Sequence, residues 1–444
     1  YMPDDQTTPT DSATAPHEDP SSPAGRPSGD PAPNNDPSDQ MLVLVAQVGE
    51  ALNRSSYPAP QTQQVLREVC AAYGYDIAVE VFPSYVFAVD RGSSLVELAG
   101  TGSAFRFDQI ASTETLVRQL RRGAVPIDEA LAQLRAIEAS KPPVNLLLRI
   151  AGYVLMALGF ALCFRMSLAA SVAVMVISIP IAAISLWSSI KGTLASLMPV
   201  ALTFVSALAI ALWAIHGGTD DPVRVAVIPV LTLIPGAALT TAIIELTTGD
   251  MIAGSSRLMY AFMLLMSMAF GLALAIDLAG MTSDNLADLT SQQAPSWVLW
   301  IAAPVFGIGN VLYFCTPRQA WVWIVVFCFG TFWANQLLLH AMSAAFAGGV
   351  SLGLALLAAW ALNAHLKSHP STLVMFLPTF WLMVPGSMGF VALSGELTKD
   401  KSLSNLGGGA LLSLMSMAIC MMIAAVLAPI VIKPLNLKPK LKNL

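Results

Sequence analysis

Residues 231–250 read LTLIPGAALTTAIIELTTGD, and residues 381–400 read WLMVPGSMGFVALSGELTKD. Each places Pro-Gly inside an apolar run, with Glu-Leu-Thr about ten residues further on. Proline removes a backbone donor and glycine adds conformational freedom, so the pair breaks a helix. Pro235 cannot donate to Leu231, nor Pro385 to Trp381. A carbonyl left unpaired in hydrocarbon costs several kcal/mol, so each break must face protein, water or a ligand.

The chain around these breaks is 55% hydrophobic and 11% charged, with a mean hydropathy of +0.65. A soluble domain carries about a quarter charged residues, so this composition indicates a membrane protein. Charge is unevenly spread: 9 of 23 Lys and Arg and 19 of 28 Asp and Glu precede residue 141. Residues 1–40 hold nine prolines and eight acidic residues, with no apolar run, and are expected to be a disordered tail. They lack the basic start and apolar core of a secretory signal. Cys70, Cys163, Cys315, Cys328 and Cys420 show no Cys-x-x-Cys spacing, which points to neither a disulfide frame nor a metal site.

Residues 41–140 combine amphipathic helical patterns with the β-rich IAVEVF, YVFAVD and LVELAG, as in an α+β domain of about 100 residues. Ten apolar segments follow, near 146–164, 168–188, 194–215, 224–245, 251–279, 297–314, 320–339, 341–362, 371–394 and 406–432. With the α+β domain inside the cell, ten Lys and Arg of the loops and C-terminal tail fall on the cytoplasmic side. Only Arg165, Arg224, Lys399 and Lys401 fall outside, a bias expected of an inner-membrane protein with both termini cytoplasmic.

The opening echo belongs to a longer repeat. Ile150-Ala151 answers Ile301-Ala302, Pro235-Gly236 answers Pro385-Gly386, and Met266–Ala269 answers Met415–Ala418, at offsets of 151, 150 and 149. Ten spans thus divide into two fives, 141–290 and 291–444. Because five is odd, the second half enters the membrane from the opposite face. The expected fold is a polytopic α-helical membrane protein with two inverted five-helix repeats, preceded by a small cytoplasmic α+β domain. Paired interrupted spans in inverted halves mark the binding site of secondary transporters.

After each break a new half-helix would turn free amides, around Gly236 and Gly386, toward a carboxylate, while released carbonyls suit an ammonium group. Pro235, Gly236, Pro385 and Gly386 therefore head the substrate-binding candidates, with Thr240, Thr241 and Ser387 placed to read a substrate hydroxyl. The same hydroxyls serve equally well by bonding back to the preceding turn. Ionisable residues near the spans are few, and Glu245, Asp250, Arg257 and Asp277 are the candidates for ion coupling. Glu396 and Asp400 read as solvated helix ends, and Asn310, Asn335, Gln336 and His340 as interhelical hydrogen bonders. No basic residue is expected beside a break, which favours a zwitterionic cargo over a dianion. His365 and His369 lack an acidic or thiol partner for a metal, and Ala345, Gly349 and Gly353 form a small-residue face for close helix packing. That face also suits a homo-oligomer. No cofactor or nucleic-acid partner is expected; the partners are a small-molecule substrate, protons and lipid.

VGEALNRSSYPAPQTQQVLREVCAAYGY, VEVFPSYVFAVD, LIPGAALTTAIIELTTGDMIAGSSRL and FLPTFWLMVPGSMGF together resemble the bacterial threonine/serine exporters, over about residues 41–432. The resemblance implies export of small hydroxylated amino acids driven by the proton motive force, and no enzymatic activity. Two-protein versions resemble dicarboxylate exporters, so a succinate-type cargo is the alternative. A membrane-anchored enzyme is the alternative of another class. The family's N-terminal domain has been likened to a hydrolase, yet no histidine lies between His17 and His216, so residues 41–140 alone cannot build a Ser-His-Asp site or a histidine-ligated zinc. Family members often carry Gly before the second helix and Glu opening it; this chain has Ser55-Ser56 and Gln63-Gln64.

Overall fold

The computed structural model describes residues 37–92, 95–100, 102–187, 193–217, 222–281, 293–366, 371–383 and 406–435. Residues 1–36 of the expected disordered tail lie outside them, as do Pro385, Gly386 and Ser387 of the second break. The last four residues of that expected tail, 37–40, instead form the first turn of a helix (Pro37–Arg54). The protein is mostly helical. Among the described residues six helices are long and apolar enough to cross a membrane, in keeping with a polytopic membrane protein.

The N-terminal unit consists of α1 (Pro37–Arg54), α2 (Ala59–Tyr73), strands β1 (Ile77–Val81), β2 (Tyr85–Asp90) and β3 (Val96–Gly100), then α3 (Phe107–Leu120) and α4 (Ile127–Ala139). The strands form one antiparallel sheet in the order β1-β2-β3. Ile77, Val79 and Val81 of β1 and Val86 and Ala88 of β2 alternate inward, as the period of two requires. Helix α1 is the centre of this unit. Its sequence reads as amphipathic, but Met41, Leu42, Leu44, Val45, Ala46 and Val48 are all buried because α1 packs on the sheet, α2 and α4 at once. Gly49 permits the closest approach, since a Cβ there would lie 2.8 Å from Val86.

The apolar helices follow: α5 (Leu146–Cys163), α6 (Leu168–Ser185), α7 (Thr193–Ala214), α8 (Pro222–Val227), a 3-10 stretch (Ile228–Leu233), α9 (Gly236–Thr247) and α10 (Met251–Leu278). Then come α11 (Val298–Tyr313), α12 (Trp321–Leu338), α13 (Ala344–His365), α14 (Thr372–Met383) and α15 (Leu406–Leu435). Every apolar segment expected from the sequence contains helix. The fourth is divided among α8, the 3-10 stretch and α9, and is among the four shorter apolar segments. Asn145 and Ser167 start α5 and α6 by accepting the amides of Leu148 (2.9 Å) and Ala170 (3.2 Å).

Lipid supplies no hydrophobic force between helices, so close packing depends on small residues. A Cβ at Gly152 of α5 would lie 2.6 Å from the Tyr313 nitrogen at α11's end, and one at Gly271 of α10 would lie 2.9 Å from the Val200 carbonyl of α7. The expected small-residue face of α13 packs in the same way against α15. A Cβ at Gly349 would come within 2.7 Å of Ser416 backbone, and one at Gly353 within 3.0 Å of the Cys420 carbonyl. Asn310 departs from expectation: fully buried, it donates back to the Phe306 carbonyl of its own helix at 3.4 Å.

The N-terminal unit rests on the apolar helices through aromatic contacts. The Phe107 amide donates to the Phe314 carbonyl at 3.0 Å. The Phe107 ring stacks on Phe314 at 4.9 Å and on Trp381 at 5.8 Å.

Candidate functional site

The break expected at Pro235 is present, and it is more than a kink. Helix α8 tightens into the 3-10 stretch, Ile234 turns extended, Pro235 adopts φ −78°, ψ 46°, and α9 restarts at Gly236. Helix α5 holds this irregular backbone in place. The buried Tyr153 hydroxyl donates to the Pro229 carbonyl at 2.6 Å and accepts from the Thr232 hydroxyl at 2.7 Å. Polar groups freed by a broken helix are thereby paired inside protein, as an apolar surrounding demands.

Beside the break lies a cavity of about 380 Å³, walled by Leu231–Pro235, Ala238 and Thr241 on one side and by Phe160, Phe306 and Trp381 on others. Its volume falls in the roughly 300–1,000 Å³ range of small-molecule sites. Most of the wall is apolar. The polar side chains are the hydroxyls of Ser56, Thr232, Thr241 and Tyr260 and one charged group, Arg257.

Arg257 is brought there by the turn between α9 and α10. Gly249 takes φ +91°, a conformation open to glycine at little cost, and Asp250 caps α10 by accepting the Ala253 amide at 3.1 Å. Gly254 then lets α10 lie against α9: a Cβ there would sit 2.9 Å from both the Ala242 carbonyl and the Leu246 nitrogen. Across this contact Arg257 Nε donates to Glu245 Oε1 at 3.1 Å. Glu245 is fully buried, whereas the Arg257 side chain keeps 16% exposure. Among the described residues the pair is incompletely satisfied, since Arg257 Nη2 and Glu245 Oε2 are both buried and find no hydrogen-bond partner there.

Glu245 Oε1 has a second donor from far away in sequence, the Ala59 amide at the start of α2, at 3.0 Å. A converse arrangement lies nearby. Glu114 of α3 accepts from the Tyr57 hydroxyl at 3.0 Å and faces the Ser371 hydroxyl and the Leu373 amide at the start of α14. Burial pushes the Glu114 carboxyl above the ordinary carboxylate range, and burial together with Glu114 pushes the Tyr57 phenol upward.

The sequence profile of the family described as "Putative threonine/serine exporter" matches residues 43–279, more than half of the chain. The chain belongs to this exporter family. No curated protein and no solved structure matches it. The family match runs from α1 through α10 and so includes the break, Glu245, Arg257 and the N-terminal unit.

Of the residues expected to form the site, Pro235 and Thr241 line the cavity, and Gly236 opens the half-helix beside it. The Thr240 side chain lies outside what the structure describes. Arg257 overturns one expectation. Sequence position places it at the head of a span, remote from the break, but α10 packs so closely on α9 that its guanidinium reaches the cavity. Asp250 serves as the α10 cap. Asp277 is exposed at the other end of α10, twenty residues or about 30 Å of helix from Arg257, and the fold does not bring the two together. Tyr153, Tyr260 and Ser56 carry no local signal in the sequence, because each owes its role to contacts with distant elements.

Proposed function

We propose that this protein is a secondary exporter of threonine and serine, driven by the proton motive force, with its binding site in the cavity at the Pro235 break. The observation that carries this reading is Arg257, whose buried Nη2 has no hydrogen-bond partner among the described residues and which lines a small cavity carrying the hydroxyls of Ser56, Thr232, Thr241 and Tyr260. A cargo carboxylate would take Nη2, backbone carbonyls of the irregular Thr232–Ile234 stretch that lines the cavity would take its ammonium, and Thr232, Thr241 or Ser56 would meet its side-chain hydroxyl. Leaving such a hydroxyl partner unpaired is what lets a site reject analogues.

The charge balance favours a zwitterion. Arg257 is neutralised by Glu245, so one carboxylate and one ammonium keep the site neutral, whereas a dicarboxylate would bring an uncompensated charge into a largely apolar cavity. Glu245 and Arg257 are the ion-coupling residues in this reading, because a proton on Glu245 would release Arg257 for the cargo. The recurrence of packing, α7 on α10 and α13 on α15, supports two inverted five-helix halves with ten spans, and the loop charges support a cytoplasmic N-terminal unit in the inner membrane.

Counterflow in proteoliposomes tests this. Labelled threonine should accumulate against unlabelled threonine or serine and not against lysine, faster with an imposed pH gradient. Exchange driven by succinate and not by serine would establish the dicarboxylate alternative, and absence of any exchange would refute the reading.

A further inference from the structure

A second cavity, of about 530 Å³, lies between the N-terminal unit and helices α9, α13, α14 and α15. Ser56 and Thr241 line both this cavity and the one at the break, so they form the partition between the two. Ser56 belongs to the Ser55–Pro58 turn that joins α1 to α2. It holds a left-handed backbone, φ +67°, uncommon for a residue with a side chain. The turn is fixed by the Ser56 amide on the Asn53 carbonyl (3.0 Å), the Tyr57 amide on Leu52 (3.1 Å) and the Ser55 hydroxyl on Ala51 (2.7 Å). A rigid turn of the N-terminal unit thus fills the gap through which the two cavities would otherwise join.

We propose that the N-terminal unit is the inner gate of the transport route, with the Ser55–Pro58 turn as its plug and two reciprocal carboxylate contacts as its latch. Resting on the exporter reading above, this assigns a role to residues 37–139. Each carboxylate stands at the start of a helix from the other side of the interface: Glu245 of α9 on the Ala59 amide of α2, and Glu114 of α3 on the Ser371–Leu373 start of α14. Helix starts carry unsatisfied amides and a positive dipole end, so a carboxylate holds them firmly and directionally. Tyr57 extends the plug to the second latch through its bond to Glu114.

The geometry also joins the gate to the cargo site. One oxygen, Glu245 Oε1, accepts both from Ala59 and from Arg257. A carboxylate arriving at Arg257 competes with Glu245 for the guanidinium, and any shift of Glu245 is felt at the first amide of α2. Cargo binding and release of the plug thereby act on one atom. With the plug withdrawn, the 530 Å³ cavity becomes the vestibule through which cargo enters.

The test is cysteine accessibility. Thr232 lines the cavity at the break and not the vestibule. A Thr232→Cys reporter in full-length protein freed of its five cysteines is treated with a membrane-impermeant thiol reagent in inside-out vesicles. With the latch intact, labelling should be slow; Glu114→Ala should speed it at least tenfold. Tyr57→Phe, which keeps the ring and removes one hydrogen bond, should shift it in the same direction by a smaller factor, and guards against misfolding of the alanine variant. Equal rates in all three would overturn the gate. Threonine counterflow by the unsubstituted protein is scored separately: counterflow with unchanged labelling sinks the gate alone, and changed labelling without counterflow sinks the cargo assignment alone.

Discussion

Arg257 and Glu245 meet at 3.1 Å across the α9–α10 contact, each with one buried polar atom unpaired among the described residues. A guanidinium offers five donors in a fixed fork, and a carboxylate two oxygens. Here each spends part of that capacity on the other, so the pair is stable at rest yet open to a further partner.

That arrangement predicts a distinctive double-mutant cycle. Arg257→Ala strands a fully buried carboxylate, and breaking a buried pair from one side costs about 3–5 kcal/mol. The double variant Glu245→Ala, Arg257→Ala removes both charges and should recover a large part of that loss. Unfolding midpoints in detergent give the comparison, and additive losses would show that the two do not act as a pair. Threonine affinity should fall about 10- to 100-fold in Arg257→Ala, the worth of one charge-assisted hydrogen bond of about 1.5–3 kcal/mol.

Pro235→Ala together with Gly236→Ala should allow α8 and α9 to fuse toward continuous helix. The carbonyls proposed to take the ammonium would then return to helical bonds. Efflux should be abolished while insertion and expression remain, measured by threonine export from cells alongside membrane yield. Undiminished export would remove the break from the mechanism.

Gly254→Ala places a methyl 2.9 Å from α9 backbone, closer than packed carbons approach. Forcing α10 off α9 should cost about 1–3 kcal/mol, as overpacking does, and should also separate Arg257 from Glu245. Lowered thermal stability together with lost threonine binding is the expected result. Gly249→Ala would perturb only the turn: φ there is +91° and, among the described residues, nothing lies within 4 Å of the added methyl, so backbone strain alone would be felt.

Glu114 gives a pH signature to stability. Its carboxyl is raised above the ordinary 4.5 by burial, so the folded protein holds a proton that the unfolded chain releases. Stability should therefore decline as pH rises from 4.5 through the raised value, then level off. Glu114→Gln, which cannot ionise, should lack that component, and its unfolding midpoint should gain on the unsubstituted protein as pH rises. Parallel pH profiles for the two proteins would contradict it.

Much of this was open to reading along the chain because it is decided locally. A proline without an amide, apolar runs of given length and the alternation of apolar residues in the strands act through neighbouring atoms alone. The break, the helices and the alternating strands follow from them, whereas Asp250, read as an ion-coupling candidate, proves to cap α10. The same local reading could not place Arg257, which stands at a helix start by position and reaches the cavity only because Gly254 lets two helices touch.

The tertiary structure decided which groups share a space. The Ala59 amide and Glu245 are 186 residues apart, and no periodicity or motif ties an amide at one helix start to a carboxylate at the end of another. Ser56 reads as an ordinary turn residue until the fold sets it between two cavities. Backbone preferences act over a few bonds, whereas packing and pairing act over a few ångströms through space, and only the folded chain converts one distance into the other.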